Sequence, residues 1–259
     1  MRAIRYLHIP KTGGTSLTHV LRRQYRSAAC FDFSGDADAD ASRYRGLPPL
    51  ERARIALFTG HAPIETGLEP ADRCLMITIL REPLSRVQSF CRHVAEGKSP
   101  YLRERFPPER FDLDEFLWSG NAELENLQTK MLINQHHSAA PLPSHYSGLK
   151  AITMATDNLF HRIAHFGIQS HFHESIARFG HALGWNPLFR HARRNVASAA
   201  RPMRFEQRHV QRILELNPLD LELYRAAEAR FLALRHRPVR AFTQPRWAQA
   251  ASILVSLLG

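Results

Sequence analysis

One stretch organises this sequence: Leu7-His8-Ile9-Pro10-Lys11-Thr12-Gly13-Gly14-Thr15-Ser16-Leu17. An apolar segment over residues 3–9 leads into it, and helical spacing at Leu17, Val20 and Leu21 follows. A strand, a glycine turn and a helix gather unpaired backbone N–H groups at a helix N-terminus, where the helix dipole adds partial positive charge. We therefore expect a phosphate or sulfate group to bind at this turn.

The residue types in this turn favour the binding of an anion. Gly13 and Gly14 permit positive φ and close approach of the backbone, and Lys11 supplies a mobile positive charge. Thr15 or Ser16 would cap the helix and offer a hydroxyl to the ligand. The simpler alternative is a turn that needs two glycines for geometry alone. A Walker A loop is excluded because its lysine follows the glycines, and the G-x-G-x-x-G fingerprint is also missing.

A second motif, Ile79-Leu80-Arg81-Glu82-Pro83-Leu84-Ser85-Arg86-Val87-Gln88-Ser89-Phe90, follows a nearly all-apolar segment. Arg81 ends the predicted strand, and Pro83 suits the first turn of the next helix. An arginine fork and a serine hydroxyl can hold a phosphate together. The alternative is that Arg81 pairs with a carboxylate at the sheet edge. Arg86, further into the helix, is equally suited to a structural ion pair.

Together the two motifs resemble sulfotransferases that use 3′-phosphoadenosine 5′-phosphosulfate (PAPS), with the closest likeness to the carbohydrate branch that includes heparan sulfate 2-O-sulfotransferase and bacterial relatives. The motifs stand in the family's order, about seventy residues apart. The resemblance implies that Arg81 and Ser89 bind the 3′-phosphate, and that a basic loop around Arg194 closes over the nucleotide. It assigns the 5′-phosphosulfate to the first loop, namely Pro10, Lys11, Thr12, Gly13, Gly14, Thr15 and Ser16. Residues 126–130 are similar to a further helical motif of the family, with no chemistry attached.

A histidine is the candidate general base. Phe58-Thr59-Gly60-His61 resembles the strand-end Gly-His of uronyl 2-O-sulfotransferases, which implies that His61 is catalytic. Those enzymes carry His-Gly-His, whereas Thr59 occupies the first position here. A neutral imidazole can take a hydroxyl proton near neutral pH. The alternative is a structural histidine at a strand end; Glu65 and His93 are then the next candidates, with His93 expected on a helix surface.

The segment pattern predicts an α/β fold. Apolar strands are expected at residues 3–9, 54–59, 74–80 and 160–168. Loops are expected at 32–40 and 190–204, and a loop or a short helical insertion at 98–110. Helices are expected at 16–26, 83–95, 112–118, 122–134, 149–158, 172–183, 206–216 and 218–234. We expect one domain over residues 1–259, with a parallel sheet flanked by helices and a helical C-terminal part. The resemblance implies the P-loop-kinase-like variety of this fold. Lys11, His61 and Arg81 each follow a strand, so the sequence predicts one shared site at the carboxyl ends.

The composition of the chain limits the classes of ligand and partner that it is suited to bind. The 259 residues carry a formal charge of +11, which attracts nucleotides, anionic glycans, nucleic acids or acidic lipids. The three cysteines form no C-x-x-C pair and no H-E-x-x-H is present, so we expect no metal. No signal peptide is visible and no apolar run reaches the ~20 residues of a membrane helix. We therefore expect a cytoplasmic bacterial protein without a transmembrane segment.

The predicted function is transfer of a sulfuryl group from PAPS to a carbohydrate hydroxyl by in-line displacement, with Lys11 and His61 catalytic, no metal, and the 3′,5′-bisphosphate PAP as product. The basic ranges 98–110 and 190–204 indicate an anionic glycan, although they can also serve the nucleotide. One alternative is an ATP- or GTP-dependent kinase. Another is a non-enzymatic protein that binds anions or nucleic acid, although basic and aromatic residues do not interleave as nucleic-acid binding would favour. The acceptor and the oligomeric state stay open.

Overall fold

A computed structural model describes residues 3–25, 30–69, 74–135, 147–186 and 203–235. The strands are β1 Ala3–Leu7, β2 Cys30–Phe33, β3 Leu57–Gly60, β4 Cys74–Leu80 and β5 His165–Ile168. The α-helices are α1 Gly14–Gln24, α2 Ala37–Gly46, α3 Pro49–Arg54, α4 Pro83–Ala95, α5 Leu113–Leu117, α6 Leu127–Leu132, α7 Gly148–Asp157, α8 Phe172–Leu183, α9 Gln207–Leu216 and α10 Pro218–Ala233.

The strands form one parallel sheet in the order β2-β3-β1-β4-β5. All five residues of the central strand β1 are buried, because helices cover both faces of the sheet. This arrangement confirms the predicted α/β class. The predicted bounds of β4, α4 and α8 are also confirmed.

Alternation along β1 divides the core into two layers. Ile4 and Tyr6 point to one face, where they pack with α1 and α8. Leu7 points to the other face and packs with α6, α7 and α10. The side chain of His8, directly after β1, stacks on Tyr6 with ring centroids 5.1 Å apart, so it lies on the α1 face.

The prediction of a loop over residues 32–40 is wrong. This segment contains the end of β2 and the start of α2, because Asp36 caps the helix and Asp40 is buried. Asp36 accepts the backbone N–H of Ala39 at 2.9 Å and begins the helix. Asp40 is buried, accepts from the backbone and hydroxyl of Ser34, and pairs with Arg43.

Two other predicted elements are shorter than expected. The predicted strand 160–168 reduces to β5, because a π-helical turn, Asn158–Arg162, occupies its first part. The predicted helix 122–134 divides into a 3-10 turn, Ala122–Leu124, and α6, since Asn126 between them adopts a left-handed φ of 41°. Most of the predicted loop 190–204 lies outside the described residues.

Nowhere in the described ranges does a helix combine the length and the apolar composition that crossing a membrane requires.

Candidate active site

The glycine turn after β1 forms an open helix N-terminus. Gly13, with φ of 95°, is the N-cap of α1, and its carbonyl accepts the first helical bond, from Leu17 at 3.3 Å. The backbone N–H groups before Leu17 therefore have no acceptor inside the helix. The expectation that Thr15 or Ser16 caps the helix is wrong, because α1 begins one residue earlier, at Gly14. Both residues lie in the first turn instead.

The hydroxyl of Thr12 is used within the loop. Thr12 is fully buried, and its hydroxyl donates to the carbonyl of Ile9 at 2.9 Å. This bond closes the turn between the strand and the helix. We conclude that the Thr12 side chain shapes the loop.

Lys11 and Arg81 meet at this loop. Lys11 adopts a left-handed φ of 68°, and its carbonyl accepts a hydrogen bond from Nη1 of Arg81 at 3.0 Å. Burial, followed by the charge of Arg81, lowers the pKa of Lys11 to about 8. Two cations are thus held together beside an open helix N-terminus, which is the electrostatic requirement of a site for a multiply charged anion.

His61 lies beside His8 at the ends of neighbouring strands. Nδ1 of His61 is 2.9 Å from the carbonyl oxygen of His8, and the two rings are 4.3 Å apart between centroids. A carbonyl oxygen can only accept, so Nδ1 of His61 carries the proton. In the neutral ring Nε2 is then the basic nitrogen, which is the form that a general base needs.

Sequence reasoning missed His8: Thr59 replaces the first histidine of the His-Gly-His pattern, and the histidine beside His61 comes from the end of β1 instead. Burial, and then the charges of His61 and Lys11, lower the pKa of His8 well below its ordinary value. A Cβ atom on Gly14 would lie 1.6 Å from Nε2 of His8. The position of the His8 ring therefore favours glycine at 14, whereas of the two glycines only Gly13 has a positive φ.

A buried arginine fixes the segment that follows His61. Arg5, on β1, donates from Nη1 to the carbonyl of Ile64 at 2.7 Å and from Nη2 to the carbonyl of Pro63. Its counter-charge is Glu69, which is also within this segment. A buried guanidinium needs several acceptors to offset its desolvation, and this segment supplies them. Arg5 thereby limits how far His61 can move.

The two alternative bases are placed differently. His93 is half-buried rather than on the helix surface, and burial, followed by the charges of Lys11 and Lys98, lowers its pKa to about 4. It therefore belongs to the same cluster as Lys11, and the surface expectation is wrong. Glu65 is exposed and pairs with Arg162 at 2.6 Å, away from this cluster of charges.

The β4–α4 turn holds the second motif. Glu82 caps α4 by accepting the backbone N–H groups of Leu84 and Ser85, and Pro83 occupies the first turn as expected. Ser89 lies half-buried within α4. The Nε atom of Arg81 is buried and has no hydrogen-bond partner among the described residues. An orphaned guanidinium N–H at this position suits a phosphate oxygen.

Arg86 is structural. Its side chain is fully buried, and Nη2 donates to the backbone carbonyl of Glu123 at 2.9 Å. The structural ion pair that was one of two options is not found among the described residues, because Nη2 bonds to a carbonyl and the buried Nε and Nη1 have no partner there.

A buried carboxyl group, Glu123, was not found from the sequence. Its Oε1 accepts a hydrogen bond from the hydroxyl of Tyr101. Burial raises the pKa of Glu123 to about 7, although Arg86 and Lys11 oppose this shift. It lies near enough to Lys11 for the two charges to interact, and no sequence pattern distinguishes it from surface glutamates.

A cleft of about 370 Å³ opens on the His8 side of the loop. Its lining includes His8, Thr15, Thr18, His19, Thr59 and Gly60. Arg22 and Asp32 also line it and pair with each other. This lining presents hydroxyl groups, imidazole rings and backbone atoms, and it suits a ligand with an uncharged polar ring. Another cavity, of about 220 Å³, lies by the amino end of β5, where Arg178 and Arg230 are among its lining residues, and is remote from the loop.

Of the predicted site, only Arg194 lies outside the described residues. Within the described ranges, no group of three or more His, Cys, Asp or Glu side chains could hold a metal ion.

The fold and the site define an α/β protein with a glycine turn, two neighbouring cations and a histidine pair at the carboxyl ends of its central strands. No protein-family model matches the chain. The chain is 26% identical over 272 aligned positions to heparan-sulfate 6-O-sulfotransferase 2 of Gallus gallus, with 88% of this chain covered. It spans 66% of that relative's length, just under two thirds. This distant similarity supports a relationship between the chain and sulfotransferases.

Proposed function

We propose that this protein transfers a sulfuryl group from PAPS to a hydroxyl of a carbohydrate acceptor. The observation that carries the proposal is the hydrogen bond between Arg81 and the carbonyl of Lys11, which joins the two predicted phosphate-binding motifs into one site. The similarity to a sulfotransferase supports the same reaction class. The 5′-phosphosulfate would bind at residues 10–16, and the 3′-phosphate at Arg81 and Ser89.

In this mechanism the acceptor oxygen attacks sulfur, and the bond from sulfur to the bridging phosphate oxygen breaks. The electron pair leaves with PAP, whose oxygen gains negative charge. The Lys11 ammonium and the backbone N–H groups at the start of α1 would stabilise that charge. One such well-placed donor contributes about 3–4 kcal/mol to transition-state stabilisation in other enzymes.

The acceptor proton would pass to Nε2 of His61. The carbonyl of His8 fixes the required tautomer, because it accepts from Nδ1. Arg5 holds the following segment, which supports a fixed position for the imidazole. In this scheme the base follows β3 and the leaving-group cation follows β1, and these two strands are neighbours in the sheet.

For the acceptor we propose a carbohydrate that enters by the cleft beside His8. The cleft adjoins the histidine pair, and its hydroxyl and imidazole lining suits a sugar ring. The curated relative is named for 6-O-sulfation, whereas the sequence motifs resemble 2-O enzymes most closely. An anionic glycan also fits the charge of +11.

A thermal-shift comparison of PAP, AMP, ATP, GTP and a DNA duplex tests this function against the kinase and the nucleic-acid alternatives. We expect PAP to raise the melting temperature most, because only PAP carries both a 5′- and a 3′-phosphate. Transfer of ³⁵S from labelled PAPS to a panel of neutral and anionic oligosaccharides then identifies the acceptor class. A larger shift with ATP or GTP, or with the duplex, would overturn the proposal.

A further inference from the structure

The side-chain amide of a buried glutamine forms hydrogen bonds with both the backbone N–H and the backbone C=O of Arg81. Oε1 of Gln128 accepts the N–H of Arg81 at 2.9 Å, and its Nε2 donates to the C=O of Arg81 at 2.8 Å. Gln128 is fully buried, so neither bond competes with water. One planar amide thus binds both main-chain groups of Arg81, the residue that follows β4. These bonds fix the direction in which the Arg81 side chain leaves the backbone.

Gln128 is itself held from the C-terminal helix α10. The carboxylate of Asp220, fully buried, accepts the backbone N–H groups of Gln128 at 3.1 Å and of Thr129 at 2.8 Å. A carboxylate at these first N–H groups stabilises the start of α6.

The stabilisation is reciprocal. Oδ1 of Asn126, which precedes α6, accepts the backbone N–H groups of Leu219 and Asp220 at the start of α10, at 2.9 and 3.2 Å. Residues at the N-terminus of each helix therefore accept hydrogen bonds from the N-terminus of the other. Gln128, at the start of α6, connects this pair of helix ends to Arg81.

The guanidinium of Arg81 has little freedom left. Its Nη1 donates to the carbonyl of Lys11, and its buried Nε has no hydrogen-bond partner among the described residues. With the backbone fixed at one end and Nη1 at the other, the orphaned N–H is presented in one direction. A buried donor without an acceptor is costly unless a ligand supplies one.

We infer that Gln128 is the positioning residue that sets the Arg81 guanidinium for a 3′-phosphate, and so determines the selectivity for nucleotides that carry one. This inference rests on the proposed function. Gln128 touches no substrate in this scheme; it acts through the backbone of Arg81, and Asp220 acts through Gln128. A structural role alone would lower the stability of the protein without changing which nucleotide it prefers.

The test uses Gln128→Glu, which keeps the size of the side chain. A carboxylate still accepts the N–H of Arg81 but cannot donate to its carbonyl oxygen. We expect the affinity for PAP to fall about tenfold, the value of one charge-assisted hydrogen bond, while the affinity for AMP stays within twofold. Gln211→Glu on the exposed face of α9 is the matched control and should change neither affinity. Isothermal titration with PAP and with AMP measures both.

A double-mutant cycle separates positioning from general damage. In an Arg81→Ala background, Gln128→Glu should leave the ratio of PAP to AMP affinity unchanged, because the group that it positions is gone. An unchanged ratio in the Gln128→Glu single variant would overturn the inference, and so would an equal loss in both backgrounds. If Gln128→Glu fails to fold, Asp220→Asn takes its place with the same criteria. A wild-type protein that binds PAP and AMP equally would instead overturn the proposed function itself.

Discussion

Nη1 of Arg81 lies 3.0 Å from the backbone oxygen of Lys11. The bond joins two motifs about seventy residues apart and places two cations at one helix N-terminus. Burial, followed by the repulsion from Arg81, lowers the pKa of Lys11, so the Lys11 ammonium is destabilised while no anion is bound. A ligand with several negative charges relieves this repulsion, which favours a nucleotide with two phosphate groups.

Arg81→Ala should remove most of the preference for PAP. We expect the wild-type protein to bind PAP at least about tenfold more tightly than AMP, because a charge-assisted hydrogen bond contributes about 1.5–3 kcal/mol. In the variant the two affinities should converge. Calorimetric titration of both nucleotides measures this, and Arg225→Ala on the exposed face of α10 is the charge-matched control. A variant that retains the wild-type ratio would show that Arg81 does not contact the 3′-phosphate.

Lys11→Ala should lower kcat more than it weakens PAP binding. The ammonium acts on charge that develops as the bridging oxygen departs, so its contribution is larger in the transition state than in the ground state. Steady-state kinetics and PAP titration on one preparation compare the two effects, with Lys150→Ala on α7 as the control. Weak PAP binding combined with normal turnover at saturation would make Lys11 a ground-state anchor only.

The pH dependence should show a basic limb that belongs to Lys11. Its pKa is lowered to about 8, so the free enzyme loses this cation as pH rises through that value. Since kcat/KM reports ionisations of the free enzyme, it should decline above about pH 8. Arg81→Ala removes one cause of the lowering and should move the limb to higher pH. A profile that stays flat to pH 10 is the contrary result.

His61→Ala should abolish turnover while it preserves PAP affinity. Loss of a general base typically costs about 10²–10⁴ in rate. The acidic limb of kcat/KM should also flatten, because a base must be neutral to accept a proton. His181→Ala, exposed on α8, should behave as wild type. If the rate and the acidic limb both survive in His61→Ala, His61 is structural, and His93 is the next base to test.

Glu123→Gln should remove a pH dependence of stability. The folded protein raises the pKa of this buried carboxyl group from 4.5 to about 7, so folding favours its protonated form. The unfolded chain releases this proton first, and the free energy of unfolding falls as pH rises from 4.5 to 7. The variant lacks this fall. Its free energy of unfolding, taken relative to that of the wild type, should therefore rise by about 3 kcal/mol from pH 4.5 to pH 7. Urea denaturation at several pH values measures it.

The control for this series is Glu109→Gln, an exposed glutamate whose replacement should leave the pH profile as in wild type. A Glu123→Gln protein whose stability falls with pH in parallel with wild type would show that Glu123 ionises normally.

Much of the scaffold is determined by the sequence alone. The apolar run, the two glycines and the helical spacing after them are neighbours in the chain, so the turn at residues 10–16 could be predicted. Pro83 and Gly184 mark the start of α4 and the end of α8 for the same reason: each acts on its own backbone. The positions of Lys11, His61 and Arg81 after strands follow from the same local signals.

Local patterns failed where the role of a residue depends on the conformation that its chain neighbours adopt. Asp36 and Asp40 read as solvated loop residues because their roles depend on Ala39, Ser34 and Arg43 in the folded chain. The expected capping by Thr15 or Ser16 failed because Gly13, in the left-handed region, already begins the helix.

The pairing of His8 with His61 was decided only by tertiary structure. The sequence has Thr59 where the similar enzymes carry the first histidine of His-Gly-His, so it predicted no histidine pair. Parallel pairing of Ile4 with Leu57 and of Arg5 with Phe58 sets a register, and the same register brings His8 beside His61. Likewise, Gln128 meets Arg81 and Arg5 meets Ile64 only because burial forces each polar group to find a partner across the fold. Composition and spacing carry no record of these long-range partners, because strand register and buried hydrogen bonds form only when the whole core assembles.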